Sequence, residues 1–160
     1  MNRPQLLSMT AAEMEEAVGG GFRARQIAEW VRKGADFAEM TNLPKALRAS
    51  LEERFIANPV TIREALVQGE TEKYLYALPD GNVIEGVKLK YHYGSSLCVS
   101  TQVGCAMGCA FCASTLEGCV RNLTSGEMLG QIVAVNRRLQ GAGERLKNAV
   151  LMGSGEPLDN

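Results

Sequence analysis

The chain has a single histidine, no signal peptide and no apolar run long enough to cross a membrane among its 160 residues. These absences argue against a membrane protein and against a secreted one. Its five cysteines are an odd number, which does not suit a secreted disulfide scaffold, so we expect a reducing, cytoplasmic setting. Hydrophobic residues make up 46% of the composition, enough for the core of a globular protein.

Charge of one sign is also lacking. The formal net charge is −1, and residues 1–60 carry eight basic and eight acidic side chains. This balance gives no support for nucleic-acid binding. It does not exclude such binding, because a local basic face can occur on a neutral protein.

Three cysteines lie within eight residues, at Cys105, Cys109 and Cys112. Three thiolates at this spacing can hold three irons of a 4Fe–4S cluster and leave the fourth iron open to a chelating substrate such as S-adenosylmethionine. A zinc site is the first alternative, but zinc prefers four ligands in separated pairs, and the only histidine, His92, is distant in sequence. Redox-active cysteines are the second alternative.

The first sixty residues have the patterns of short helices. Thr10–Glu13 is a capping box, and the glycines at 19–21 end the helix that it opens. The sequence predicts a second helix over about Arg23–Lys33 and a third that opens at Pro44, with Leu47, Leu51 and Phe55 as its buried stripe. A small helical bundle that only packs against the rest of the protein is the simplest interpretation.

Residues 60–92 have the pattern of extended structure. Two apolar segments flank the turn sequence Pro79–Asn82, which predicts a β-hairpin. Glu85 lies between apolar neighbours in the second strand. An ionised carboxylate there needs a partner or water, so it is either a functional group or an ordinary solvent-facing strand position.

The third region predicts a strand–loop–helix–strand unit. A buried strand at Leu97–Thr101 precedes the cysteines, the capping box Thr124–Glu127 opens a helix, and Ala149–Met152 is predicted to be a strand covered on both faces. Loops that follow parallel strands meet at the same edge of a sheet. We therefore expect the cysteine loop to face the turn Gly153–Pro157, in which Glu156 could accept hydrogen bonds from a ligand ammonium group.

Further short motifs occur in order along nearly the whole chain. They are Phe22–Ile27, Met40–Pro44, Thr71–Tyr74, Asp80–Gly81, Leu97–Ser100, Gln102–Cys105, Arg121–Thr124 and Gly155–Asn160. Together with the cysteines, they resemble the RlmN/Cfr family of radical S-adenosylmethionine enzymes that methylate adenosine carbons in RNA. The likeness is stronger to RlmN. The cysteine motif alone would indicate only the larger radical superfamily.

The resemblance implies a cofactor site. Cys105, Cys109 and Cys112 would bind the 4Fe–4S cluster, and Gly155 and Glu156 would contact S-adenosylmethionine. An electron donor such as flavodoxin or ferredoxin would reduce the cluster. The amino-terminal helices would correspond to an accessory domain that engages RNA.

The resemblance also implies catalytic roles. An adenine ring carbon within an amidine is not nucleophilic, so the family uses a radical route through a methylated cysteine. Glu85 would accept the ring proton, and Cys98 would form a transient disulfide with the methyl-carrying cysteine. Cys119 stands where the family usually has an apolar residue. We expect it to be structural, with a redox or ligand role as the alternative.

The predicted fold class is α/β: a helical accessory domain and a β-hairpin, followed by the start of a radical-SAM partial (β/α)6 TIM-like barrel. The expected divisions are residues 1–58, 59–93 and 94–160. A family barrel has about six βα units, so we expect this chain to be a fragment that cannot complete catalysis.

The predicted function is methylation of adenine carbon 2 in 23S rRNA and also in tRNA, by a monomer without a membrane partner. Carbon-8 methylation of the Cfr type is the nearest alternative. A non-catalytic iron–sulfur or RNA-binding module, or a different radical enzyme, are the others.

Overall fold

Three helices surround the first of two hydrophobic clusters. The computed structural model describes residues 3–160. Helix α1 spans Ala11–Val18, α2 spans Gly21–Arg32 and α3 spans Lys45–Arg54. The side chains of Ile27, Met40 and Leu51 in this cluster are at most 1% exposed. Each such burial stabilises the fold by about 1.5–3 kcal/mol relative to an exposed side chain.

The ends of these helices follow the local signals closely. The capping box at Thr10 is present, and Gly19 ends α1 with a φ of 76°. Helix α2 begins at Gly21, two residues before the predicted start at Arg23. Gly20 has a φ of 135°, which glycine readily adopts, and it lets the chain turn directly from one helix into the next. Pro44 precedes α3 as its N-cap.

Seven strands follow, in two sheets. They are β1 at Thr61–Gln68, β2 at Thr71–Ala77, β3 at Val83–Tyr91, β4 at Gly94–Cys98, β5 at Gln102–Gly104, β6 at Cys119–Asn122 and β7 at Leu146–Val150. The larger sheet has the order β1-β2-β3-β4-β7, and only the β4–β7 pair is parallel. Strands β5 and β6 form a separate antiparallel pair. The predicted hairpin, β2–β3, therefore shares one sheet with β4.

Helix α4, at Ser125–Gln140, connects β4 to β7 and completes the predicted βαβ unit. Its capping box at Thr124 is present, and its apolar stripe buries Val135 and Leu139. These side chains belong to the second hydrophobic cluster, with Tyr74, Tyr76 and Leu97 of the sheet, which are fully buried. One face of the sheet is thus packed, and side chains of the other face are left accessible.

Two strand predictions were wrong in part. Strand β7 ends at Val150 rather than Met152, and its residues 147–150 are exposed rather than covered on both faces. It is the last strand in the sheet order and pairs only with β4. Strand β4 ends at Cys98 rather than Thr101, because Val99 and Thr101 donate instead to the carbonyls of Val150 and Ser154.

The division of the chain at residues 58 and 93 stays a prediction. Among residues 3–160, no helix combines the length and apolarity required to span a bilayer.

Candidate functional site

The cysteine connection between β4 and α4 is closed at its base by the β5–β6 pair. Gly104, at the end of β5, has a φ of 75°, and a Cβ built there would lie 2.0 Å from the Gly118 carbonyl oxygen. The Cys105 amide donates a 3.0 Å hydrogen bond to that same carbonyl. The connection is therefore a loop with a fixed neck. Sequence patterns missed this pair because strands of three and four residues are too short to show periodicity.

The three motif cysteines lie on this one loop and differ in exposure. Cys105 is buried, Cys112 is half-buried, Cys109 is exposed, and all are free thiols. Within residues 3–160, no three His, Cys, Asp or Glu side chains converge as a metal-ligand set. The donors fit an iron–sulfur cluster in kind and number, since three thiols on one loop are the ligands such a cluster uses. The structure does not gather them around a common centre.

The glycine loop after β7 lies against the segment that follows β4, as the βαβ pattern predicts. Gly155 has a φ of 106°, and a Cβ there would lie 2.6 Å from Thr101 Oγ1 and 2.7 Å from the Gln102 amide nitrogen. Thr101 Oγ1 is buried and has no hydrogen-bond partner within the part of the chain described. The Ser154 hydroxyl lies 3.0 Å from that of Ser114 in the cysteine connection. The two loops thus meet.

Ser100 ties three elements of this region together. Its hydroxyl donates to the Glu85 carbonyl of β3 at 2.7 Å and accepts from the Ser154 amide of the glycine loop at 2.9 Å. The side chain of Gln131 in α4 bonds both the amide and the carbonyl of Ser100, each at 2.9 Å. Sequence analysis missed this arrangement, because side-chain bonds across 15 to 54 residues leave no periodic signal.

A second glutamine, Gln102, performs a similar role next to Ser100. Its side-chain oxygen accepts from the Glu156 amide at 3.0 Å, and its side-chain nitrogen donates to Asn122 at 2.9 Å and Asp159 at 3.2 Å. Gln102 is 1% exposed, so these bonds are shielded from water. The glycine loop is therefore held in place largely by buried polar contacts.

Glu85 and Cys98 lie on the same accessible face of the sheet. Val87 pairs directly with Cys98 across β3 and β4, and alternation puts Glu85 on the same face as Val87. The Glu85 side chain is 53% exposed and forms an ion pair with Lys73 at 2.8 Å. The solvent-facing position that strand alternation allowed for Glu85 is therefore what this chain shows, and the accessible carboxylate lies on the side away from α4.

Arg121 of β6 joins the cysteine connection to the β2–β3 turn. Its guanidinium donates to Glu127 at 2.8 and 2.9 Å and to Asp80 at 2.6 Å. The hydrogen bond from Arg121 lowers the pKa of Asp80 to about 2. The hydrogen bond to Glu127 raises the pKa of Arg121. The Glu127 side chain is 2% exposed, so the arginine balances a buried charge.

Comparison with known proteins identifies the class to which this site belongs. The chain is 45% identical to a solved radical SAM methyltransferase from Sphaerobacter thermophilus, with a TM-score of 0.93 over 98% of this chain and 48% of that one. This likeness confirms the predicted fold class. The family described as "Ribosomal RNA large subunit methyltransferase N-terminal domain" matches residues 2–57.

Curated relatives narrow the class to one family. The chain is 52% identical, over its whole length, to the "Probable dual-specificity RNA methyltransferase RlmN" of Alkaliphilus oremlandii, covering 48% of that protein. A protein of the same name from Clostridium botulinum is 52% identical over 92% of this chain and 42% of its own length. The chain belongs to the RlmN family, and it spans about half the length of these relatives.

Proposed function

We propose that the protein of which this chain forms part is a radical S-adenosylmethionine methyltransferase that acts on carbon 2 of adenosine in 23S rRNA and in tRNA. One observation carries the proposal: two loops leave the carboxyl ends of β4 and β7 together, and one of them bears three free thiols. The printed function of the relatives, RNA methylation of dual specificity, supports it.

In this proposal Cys105, Cys109 and Cys112 hold a 4Fe–4S cluster, and Gly155 and Glu156 contact S-adenosylmethionine. Together, the cluster and S-adenosylmethionine supply the radical that a non-nucleophilic ring carbon requires. The bare Gly155 leaves room for close approach of a ligand to the backbone. Electrons would come from a flavodoxin or ferredoxin in the cytoplasm, and the protein would act as a monomer.

Glu85 is proposed to accept the proton that leaves the methylated ring carbon. Its carboxylate is accessible on the face that also bears Cys98, and Lys73 holds it in the ionised form that a base requires. Cys98 is proposed to form a transient disulfide with a methyl-carrying cysteine that lies outside this chain. The methyl group reaches RNA through that second cysteine, so this chain alone is proposed to be inactive.

The test is mass spectrometry of rRNA and tRNA from a strain that lacks the gene and carries the full-length protein or a variant. We expect 2-methyladenosine with the unchanged protein and with Cys119→Ala, and its loss with Glu85→Gln and Cys98→Ser. Appearance of 8-methyladenosine would contradict the assigned carbon. No RNA change with a cluster-loaded protein would contradict the whole assignment and favour a non-catalytic module.

A further inference from the structure

A pair of exposed tyrosines marks the turn between β3 and β4. The rings of Tyr91 and Tyr93 stack with centroids 5.1 Å apart and planes 9° apart. His92 packs edge-on against Tyr93 at 5.0 Å. The two tyrosines are 43% and 51% exposed, so the stack is open to solvent rather than part of a core. Exposed, preorganised aromatic rings are the surface on which unpaired bases stack.

Three cations surround this turn, and we call the whole set the tyrosine patch. It comprises Lys90, Tyr91, His92, Tyr93, Arg145 and Lys147. The Lys147 side chain lies across Gly94, where a Cβ would be 2.4 Å from its Cγ. Lys90 forms an ion pair with Glu144 at 3.3 Å. None of the ion pairs among residues 3–160 includes Arg145 or Lys147, so their charges are available to a ligand.

The patch is remote from the proposed catalytic loops. It lies at the amino ends of β4 and β7, whereas the cysteine and glycine loops follow the carboxyl ends. Strand β4 has five residues, which separates the two ends by roughly 13–16 Å. A ligand bound at the patch is therefore not the reacting adenosine. An anionic ligand that presents flat aromatic faces satisfies both the tyrosine stack and the cations.

We propose that the tyrosine patch binds an unpaired RNA segment, whose bases stack on Tyr91 and Tyr93 and whose phosphates contact Arg145 and Lys147. The proposal rests on the proposed function, because it takes RNA as the substrate. It adds a second contact, which positions the RNA at a distance from the reacting base. Stacking is tolerant of base identity, so the patch contributes affinity rather than sequence selection.

The test is fluorescence anisotropy of the full 160-residue chain with a labelled single-stranded RNA, with circular dichroism to show that each variant folds. Tyr93→Leu keeps the apolar bulk but removes the π face, and Tyr93→Phe keeps the ring. We expect Kd to rise by at least about fivefold for Tyr93→Leu and to change less than twofold for Tyr93→Phe. Lys147→Ala should reduce the slope of log K against log salt by about 0.7, and Arg63→Ala, on β1, should not.

Equal binding by Tyr93→Leu and the unchanged chain would overturn the inference, as would failure of the unchanged chain to bind. A salt slope that Lys147→Ala leaves unchanged would remove the phosphate contact. These outcomes are separate from the proposed function, because RNA methylation by the full-length protein is measured independently. A full-length Tyr93→Leu variant that still yields 2-methyladenosine at reduced rate would support both.

Discussion

Replacing Gly155 by alanine tests how the glycine loop is held. Gly155 has a φ of 106°, and the new Cβ would lie within 2.7 Å of Thr101 and Gln102 atoms, some of them backbone. The left-handed backbone conformation alone costs about 1–3 kcal/mol for a residue with a side chain. The contact with backbone cannot be relieved by turning a side chain, so the loop must move away from the segment after β4.

That movement breaks specific hydrogen bonds. The amides of Thr101 and Gln102 donate to Ser154 at 2.8 and 3.2 Å, and the Glu156 amide donates to Gln102 at 3.0 Å. Loss of two or three such bonds adds about 2–3 kcal/mol. The expected total for Gly155→Ala is therefore about 3–5 kcal/mol. Gly20 is a matched control, because its φ is 135° and no atom lies within 4 Å of its built Cβ.

Urea denaturation followed by circular dichroism measures the global effect, and hydrogen exchange of residues 151–160 measures local opening. We expect Gly20→Ala to cost only the conformational part, about 1–3 kcal/mol, and to leave exchange in the loop unchanged. Gly155→Ala should cost more or raise exchange at Ser154 and Glu156. Equal stability of the two variants, with equal exchange in the loop, would refute this account of the glycine loop.

Three other predictions concern the polar contacts around the site. Arg121→Ala leaves the buried Glu127 carboxylate without its partner and should cost about 2–4 kcal/mol in urea denaturation, less than a fully buried pair because Arg121 is 30% exposed, whereas Arg63→Ala should change stability by under about 0.5 kcal/mol. Asp80 has its pKa lowered to about 2 from 3.8, so its stabilisation is complete above pH 3.8 and is lost as pH falls through 2. The stability difference between the unchanged chain and Asp80→Asn should therefore shrink over that window, and a constant difference would contradict the Arg121 contact. Gln131→Ala removes both bonds to the Ser100 backbone and should cost about 2–3 kcal/mol, far more than Gln140→Ala on the exposed side of α4.

Local signals predicted most of the architecture. The capping boxes at Thr10 and Thr124 depend on contacts three residues apart, so the sequence displays them directly. The turn at Pro79–Asn82 predicted the hairpin for the same reason. Strand β7 was predicted to be buried from its apolar residues, and its exposure follows instead from its position at the end of the sheet order, which no local pattern encodes.

The candidate site was predicted only in outline. The βαβ order was enough to bring the cysteine and glycine loops together. The shared face of Glu85 and Cys98 depends on the register of β3 against β4, which is set by the turn between them and not by either residue. The Ser100, Gln102 and Gln131 contacts join positions far apart in sequence, and only the folded chain shows them.

Every step of the proposed function depends on the iron–sulfur cluster, so its assembly is the most direct test. Anaerobic reconstitution of the chain with iron and sulfide, followed by iron analysis and visible absorption, compares the unchanged protein with single cysteine variants. We expect one 4Fe–4S cluster per chain, retained in Cys119→Ala and lost in Cys105→Ala, Cys109→Ala and Cys112→Ala. Absence of the cluster from the unchanged chain, or equal loading of all variants, would contradict the account.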